Sequence, residues 1–477
     1  MKKQLLLLML GVGVFFASCS KNTVEEDINP PVDANTVEVT GDLTASATWS
    51  ASKIYVLKGN VFVTNNATLT IEPGTIIKGD KGTKGALIIT RGAKIMAVGT
   101  AEKPIVFTSS IAAGARSHGD WGGVILLGKG LNNLGTSVTI EGISDASEKA
   151  KHGGTDNADN SGVMKYVRIE YAGIALGPDN EINGLTFGSV GSGTTIDYVE
   201  VYRSGDDAFE WFGGAVNCTH LLAIDSWDDD FDTDNGFSGK VQFGLAQRLS
   251  VTADVSGSNG FESDNNATGT NATPQTSAVF SNMTILGPVG QGSVNANFQH
   301  GAQVRRNSAI SIFNSVFANY TEGIFIDDAL PASPATENSQ ANLVAGRTVI
   351  ANNLIYGCNS KSNQIKASNA TALGVVTPLL TASNVFEPSL ASSTLITDAY
   401  KYSADLVTAV SGKIGTPNFT VVAGSAAASG ALFTNAKLTS GFTSVAYKGA
   451  FGTDNWASGW ASFDPQSLAY TTPGAVK

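Results

Sequence analysis

Short apolar runs closed by Gly or Asn corners recur along most of this chain, and their spacing constrains the fold more than any other feature. From about residue 54 they include Asn60–Val63, Ala67–Ile77, Ala86–Ile89, Lys94–Gly99 and Pro104–Thr108. The apolar stretches are of strand length, and no i, i+3, i+4 stripe runs for more than about two turns. In the middle the pattern becomes a repeat. Phe187-Gly188, Phe212-Gly213 and Phe237-Ser238-Gly239 open similar segments 25 residues apart, followed by the runs Ile196–Val201, His220–Ile224 and Lys240–Leu245. A second family starts with Tyr166–Gly173 and its echo Tyr198–Gly205, and continues in Val279–Leu286, Ile310–Phe317 and Val349–Tyr356. A repeat of this length means a solenoid, a propeller or an array. Two or three short strands per 22 to 25 residues fit one coil of an all-β, right-handed parallel β-helix, whose coils stack about 4.8 Å apart. Propeller blades need about 40 residues and a regular turn signature, and that signature is absent.

Asn282, Asn314 and Asn352-Asn353 recur near corners, where Asn tolerates the left-handed backbone. They predict a hydrogen-bonded side-chain stack along the solenoid. Residues 145–161, 264–277 and 328–344 break the rhythm with polar composition and read as long corner loops. Ala446–Gly452, Trp456, Trp460 and Phe463 concentrate aromatics near the end and predict a cap over the last coil, which would otherwise expose unpaired strand groups. Glycine is abundant, at 53 of 477 residues, as many tight corners require. Cys218 and Cys358 lie 140 residues apart, and in a stack this predicts two separate buried thiols. The formal net charge is −11 with no basic run outside the first residues, so a nucleic-acid footprint is absent.

The chain opens with Lys2 and Lys3, an apolar run Leu5–Ala17, then Ala17-Ser18-Cys19. A basic start, a short greasy core and a small-residue exit make a secretory signal. The cysteine resembles the bacterial lipobox, which implies cleavage before Cys19 and its lipidation, hence a stable membrane tether. Residues 1–18 then form the signal, 19–45 a polar leash with Glu25, Glu26, Asp27, Pro30 and Pro31, and 46–477 a single β-helix domain. The acidic cluster after Cys19 resembles the surface-export signal of Bacteroidetes lipoproteins.

Several segments together resemble a family of Bacteroidetes envelope lipoproteins with a parallel β-helix body. They are Thr70–Thr75, Gly119–Gly123, Asp159–Gly162, Glu181–Thr186, Asp206–Gly214, Asp228–Asp234 and Gly449–Trp456. The resemblance covers most of the chain from about residue 60. It implies the fold and an outer-membrane location, facing outside, and carries no assigned activity.

Carboxylates concentrate between residues 205 and 264. Phe209-Glu210, Phe231-Asp232 and Phe261-Glu262 align as copies of one position. In a β-helix the three phenylalanines stack inward and Glu210, Asp232 and Glu262 stack outward, with Asp234 and Asp264 as a second column. Two carboxylates about 4.8 Å apart repel by about 0.9 kcal/mol in water and about 3.5 kcal/mol at an effective dielectric of 20. Ca²⁺ held by Glu210, Asp232, Asp234, Glu262 and Asp264 would offset this, because it takes six to eight oxygens. A substrate or a shared proton would also serve. So would a solvated acidic wall partnered by Arg168 and Arg203. Trp121, Trp211 and Trp227 sit beside Gly or Asp near expected corners. Of these, Trp211 and Trp227 are the candidate sugar-stacking surfaces, while core packing is the plainer alternative.

The binding reading is therefore a glycan or cell-surface module, with Ca²⁺ as a candidate stabiliser. Lipid through Cys19, a polysaccharide and an outer-membrane importer are the candidate partners. The alternative is a carbohydrate-active enzyme, a lyase or hydrolase, with Asp206 and Asp207 as its carboxylates. Asp206-Asp207 resembles one hydrolase motif and Gln299-His300-Gly301 faintly another, but the arginine-lysine motif of those hydrolases is missing. So is the basic cluster of the lyases. His118, His152, His220 and His300 form no metal-ligand spacing.

Overall fold

The computed structural model describes residues 35–144, 147–177, 180–329, 337–358, 361–387, 392–402 and 415–477. The signal, Cys19 and the acidic leader lie outside these residues.

The alternating runs form strands that pair in parallel with their counterparts one coil on. Gly162–Glu170 pairs with Thr195–Tyr202, which pairs with Asn217–Ile224 and then Lys240–Gln247. On another side, Gly123–Leu127, Leu185–Gly188, Phe209–Phe212, Phe231–Asp234, Phe261–Ser263, His300–Val304, Glu322–Ile326 and Ile365–Ala367 follow one another. All this pairing belongs to one 27-stranded sheet wound on itself, so the fold is an all-β parallel β-helix. Alternate side chains point inward, and one apolar core runs from Val39 to Leu380. Cys218 and Cys358 are buried and free.

Three features differ from the sequence expectation. The strand Thr36–Leu43 already pairs with Ile54–Val63, so the first coil begins inside the 19–45 span expected to be leash. Phe212 is not equivalent to Phe187. Phe187 aligns with Trp211, and Phe187, Trp211 and Phe237 stack inward with centroids 5.3 Å apart. Phe212 falls one residue later and so faces away from the core, in a separate apolar cluster that includes Ile182 and Leu127. A one-residue slip exchanges the faces of a strand, and the 25-residue spacing concealed this one.

The third difference is the aromatic C-terminus, which runs down the flank rather than over the end. Asn282 Nδ2 donates to the Tyr447 carbonyl at 2.9 Å, and Ser462 N to Glu200 at 3.0 Å. The Tyr470 hydroxyl donates to Glu170 at 2.8 Å, and Lys477 Nζ to the Ala101 carbonyl at 3.0 Å. The final coil is instead covered by the helix Ala370–Thr381, which is N-capped by Asn369 and turns Ala372, Val376 and Leu380 inward. Among the described residues no helix is long and apolar enough to cross a membrane.

One corner holds a ladder of left-handed residues: Tyr166, Tyr198, His220, Phe243, Asn282, Asn314 and Asn352, with φ between 51° and 63°. The left-handed conformation costs an L-residue roughly 1–2 kcal/mol. In the aromatic half, stacking offsets it: the rings follow at 4.5, 4.2 and 5.1 Å, with Trp456 and Trp460 edge-on to them. In the asparagine half, hydrogen bonds do so, as expected from the sequence. Asn352 Nδ2 donates to Asn314 Oδ1 at 2.7 Å, and Asn314 exchanges bonds with the Leu432 backbone. Asn314→Ala is expected to cost about 1–3 kcal/mol in urea unfolding, since it leaves buried partners unpaired. Asn314→Gly should recover only the backbone part of that loss.

Candidate functional site

The strands from Leu185 to Val304 place one acidic face on the outside of the helix. Phe209, Phe231 and Phe261 stack inward at 5.8 and 5.4 Å, which fixes the register. Glu210 therefore lies opposite Asp232, and Asp232 opposite Glu262, as the sequence predicted. The column extends to Thr186 on one side and to Gln303, Phe325 and Lys366 on the other.

A second column stands at the corner three residues earlier. Asp207 Oδ1 accepts from Asp229 N at 2.7 Å, Asp229 Oδ1 from Asn259 N at 2.5 Å, and Asn259 Oδ1 from His300 N at 3.0 Å. Each side chain thus satisfies the backbone of the next coil. Asn183 lies one coil before Asp207. Its Nδ2 donates to Glu210 Oε2, while its own Oδ1 is buried without a hydrogen-bond partner.

The face divides electrostatically. Towards the C-terminal coils it is neutralised: Arg305 bonds both Glu262 and Asp264, and Arg306 Nη1 lies 2.7 Å from Asp264. Towards the N-terminal coils, Asp206, Asp207 and Asp228 bring one oxygen each within 4.8 Å of one another, and so do Asp207, Glu210 and Asp232. No Lys or Arg is ion-paired to these five among the described residues. Burial pushes Asp206, Asp207, Glu210 and Asp232 well above the usual carboxylate range, and neighbouring carboxylates push the same way. Asp228 rises to about 6 through burial, despite a bond from Ser256. Asp234 rises to about 7 through burial and Asp264, and Glu262 to about 7 through burial, which outweighs Arg305.

Several sequence expectations are corrected here. Arg168 and Arg203 do not partner the acidic face. Arg168 binds Tyr470 and the Val476 carbonyl under the C-terminal strap, and Arg203 pairs with Asp225. The five expected metal ligands do not converge. Glu210 and Asp232 do, but with Asp207, whereas Glu262 and Asp264 are taken by arginines and Asp234 Oδ1 accepts from Asn235 N. Trp211 is fully buried and cannot stack on a ligand, and Trp121 is likewise core. Trp227 is 42% exposed at the corner just before Asp228, with His118 edge-on at 5.5 Å. Asp206 and Asp207 do share one site. Arg305, Arg306 and Asn183 were missed. Aligning Gln299-His300-Gly301 with Ser258-Asn259-Gly260 would have placed Arg305 beside Asp264.

A model of pectate-lyase-like β-helix domains matches residues 41–387. The chain belongs to that family. The match takes in every residue of the acidic face and of its arginine wall, and ends before the strap, so this member of the β-helix family carries the strap as an addition to the matched domain. Among solved structures, the Dettilon tailspike protein (gp208) is similar at 11% identity and a TM-score of 0.25. The alignment covers 70% of this chain and 62% of the tailspike chain. That likeness is too loose to bear on function. No curated protein matches the sequence.

Proposed function

We propose that this protein is a glycan-binding module of the cell envelope, tethered by lipid at Cys19 to the outer membrane and facing outside, with Ca²⁺ held at the Asp207 cluster. The unneutralised half of the acidic face is the observation that carries the reading. Asp207, Glu210 and Asp232 supply oxygen donors only, as a hard cation requires. Buried oxygens without partners, Asn183 Oδ1 and Asp232 Oδ1, belong to the same cluster. A bound cation would remove the repulsion between the stacked carboxylates and give those oxygens a partner. The exposed Trp227 ring at the rim suits the apolar face of a sugar. The lipobox resemblance supports the tether and the acidic leader supports export to the surface. An outer-membrane importer is the candidate protein partner.

Calcium titration with thermal melting tests the cation. Saturation at about a hundredfold over Kd should add about 2.7 kcal/mol. Asp207→Asn should raise the melting temperature of metal-free protein and abolish the calcium response. An unchanged melting curve up to millimolar Ca²⁺ rejects the cation site.

Catalysis is the second reading, because Asp206, Asp207 and Asp228 converge. Their oxygens lie within 4.8 Å, tighter than the roughly 6.5–9.5 Å that leaves room for water in inverting hydrolysis. Reducing-sugar release from uronic-acid polysaccharides that disappears in Asp206→Asn and Asp207→Asn would establish it.

A further inference from the structure

We infer that the rim of the acidic face is a subsite for an amine-bearing sugar, its ring on Trp227 and its ammonium among Asp206, Asp228 and Asp254. This rests on the glycan-binding reading above and names the class of glycan. Trp227 N donates to the Ser204 carbonyl and Asp229 N to Asp207, so Trp227 and Asp228 sit one coil above Gly205 and Asp206. An exposed aromatic residue therefore shares one corner of the coil with two stacked carboxylates. Asp254 joins them through Ser256, whose Oγ lies 2.8 Å from Asp228 Oδ2 and 2.7 Å from Asp254 Oδ2. A hydroxyl has one proton, so it cannot donate to both carboxylates. The other Asp228 oxygen, Oδ1, is buried and has no hydrogen-bond partner. These carboxylates thus have fewer donors than acceptor oxygens and no ion-paired cation of their own, Arg248 reaching Asp228 at its backbone carbonyl, and an ammonium, with three N–H groups and a unit charge, supplies both.

The surrounding charges argue against a polyuronate at this rim. Ion pairs of the described residues place no Lys or Arg on Asp206, Asp228 or Asp254. The neighbouring guanidinium groups are held by other partners: Arg248 by Asp230 and the Ser226 and Asp228 carbonyls, Arg305 by Glu262 and Asp264, Arg203 by Asp225. A carboxylated sugar ring on Trp227 would meet like charge at Asp228, and the basic groups on its other side, His118 and Arg203, already share Asp225.

The test is titration of the full chain, with Trp fluorescence and calorimetry as readouts. The probes are a glucosamine tetramer, its N-acetylated form, a galacturonate tetramer with and without Ca²⁺, and a lysine-rich peptide. The glucosamine tetramer should bind at least tenfold more tightly than the acetylated one. Trp227→Ala should weaken it at least tenfold with melting unchanged, Asp228→Asn should weaken it at least tenfold without lowering the melting temperature, and Trp227→Phe should restore most of the affinity. Equal binding of the acetylated tetramer, or indifference to Trp227→Ala, overturns the subsite. Tighter Trp227-dependent binding of the peptide overturns it in favour of a protein partner. Galacturonate binding that ignores Trp227→Ala also rejects the subsite while leaving the glycan-binding reading intact. Failure of every oligosaccharide rejects both.

Discussion

Trp211→Ala should destabilise the protein by about 3–5 kcal/mol, the usual cost of deleting a large buried aromatic. Trp211 was a candidate ligand platform by sequence, yet its ring is sandwiched between Phe187 and Phe237 at 5.3 Å on each side and touches Phe209 at 6.1 Å. The stack is continuous along the helix axis, so a missing ring removes contacts from both neighbouring coils. Solenoid stability is close to a sum of coil and nearest-neighbour interface contributions. The loss should therefore be concentrated in the coils that also carry Glu210 and Asp232. Urea unfolding monitored by far-ultraviolet circular dichroism measures it, and hydrogen exchange should show weakened protection around Phe209–Phe212 and Phe231–Asp234. An unchanged urea midpoint together with lost glycan binding would mean that the ring faces solvent and that the register described above is wrong.

The second large effect is on pH dependence. With metal removed, stability should fall as pH rises from about 5 to 8. The sign follows from linkage. Asp228, Asp234 and Glu262 have folded-state values raised to about 6, 7 and 7, above those of the unfolded chain. Between the unfolded and folded values the native state holds more protons, so its stability is fully present below the unfolded values and is lost as pH climbs through the folded ones. Each unit of upward displacement corresponds to about 1.4 kcal/mol, and three groups make the trend large. Most proteins whose carboxylates are ion-paired behave oppositely and lose stability on acidification. Asp207, Glu210 and Asp232 are displaced the same way and add to the fall; saturating Ca²⁺ at these three should remove their share, because a cation replaces their protons, and leave the share of Asp228, Asp234 and Glu262. Thermal melting across this range in chelator, then in millimolar calcium, reads both effects. Stability that rises with pH in chelator would show that the acidic face is already neutralised.

Much of this was legible because a β-helix turns sequence period into spatial adjacency. The copies Phe209-Glu210, Phe231-Asp232 and Phe261-Glu262 announced both an inward aromatic stack and an outward acidic ladder, and both exist. The corner asparagines announced their own hydrogen-bonded ladder. Face assignment was less secure, since a one-residue ambiguity between Trp211 and Phe212 reverses which ring is buried. The aromatic half of the corner ladder was hidden, because Tyr, His and Phe are not residues expected at positive φ; stacking across coils is what admits them there.

Sequence by itself determined the solenoid, the inward phenylalanines and the crowding of negative charge on one side, because these depend on local alternation and a near-constant period. Only the tertiary structure decided how that charge is offset. Arg305 joins Asp264 across 41 residues of intervening chain, Asn183 meets Glu210 from the coil before, and residues 447–477 return along the flank instead of closing the end. Such contacts depend on how many residues each corner loop inserts between coils. Loop length changes which residues become vertical neighbours without leaving a periodic trace in the sequence.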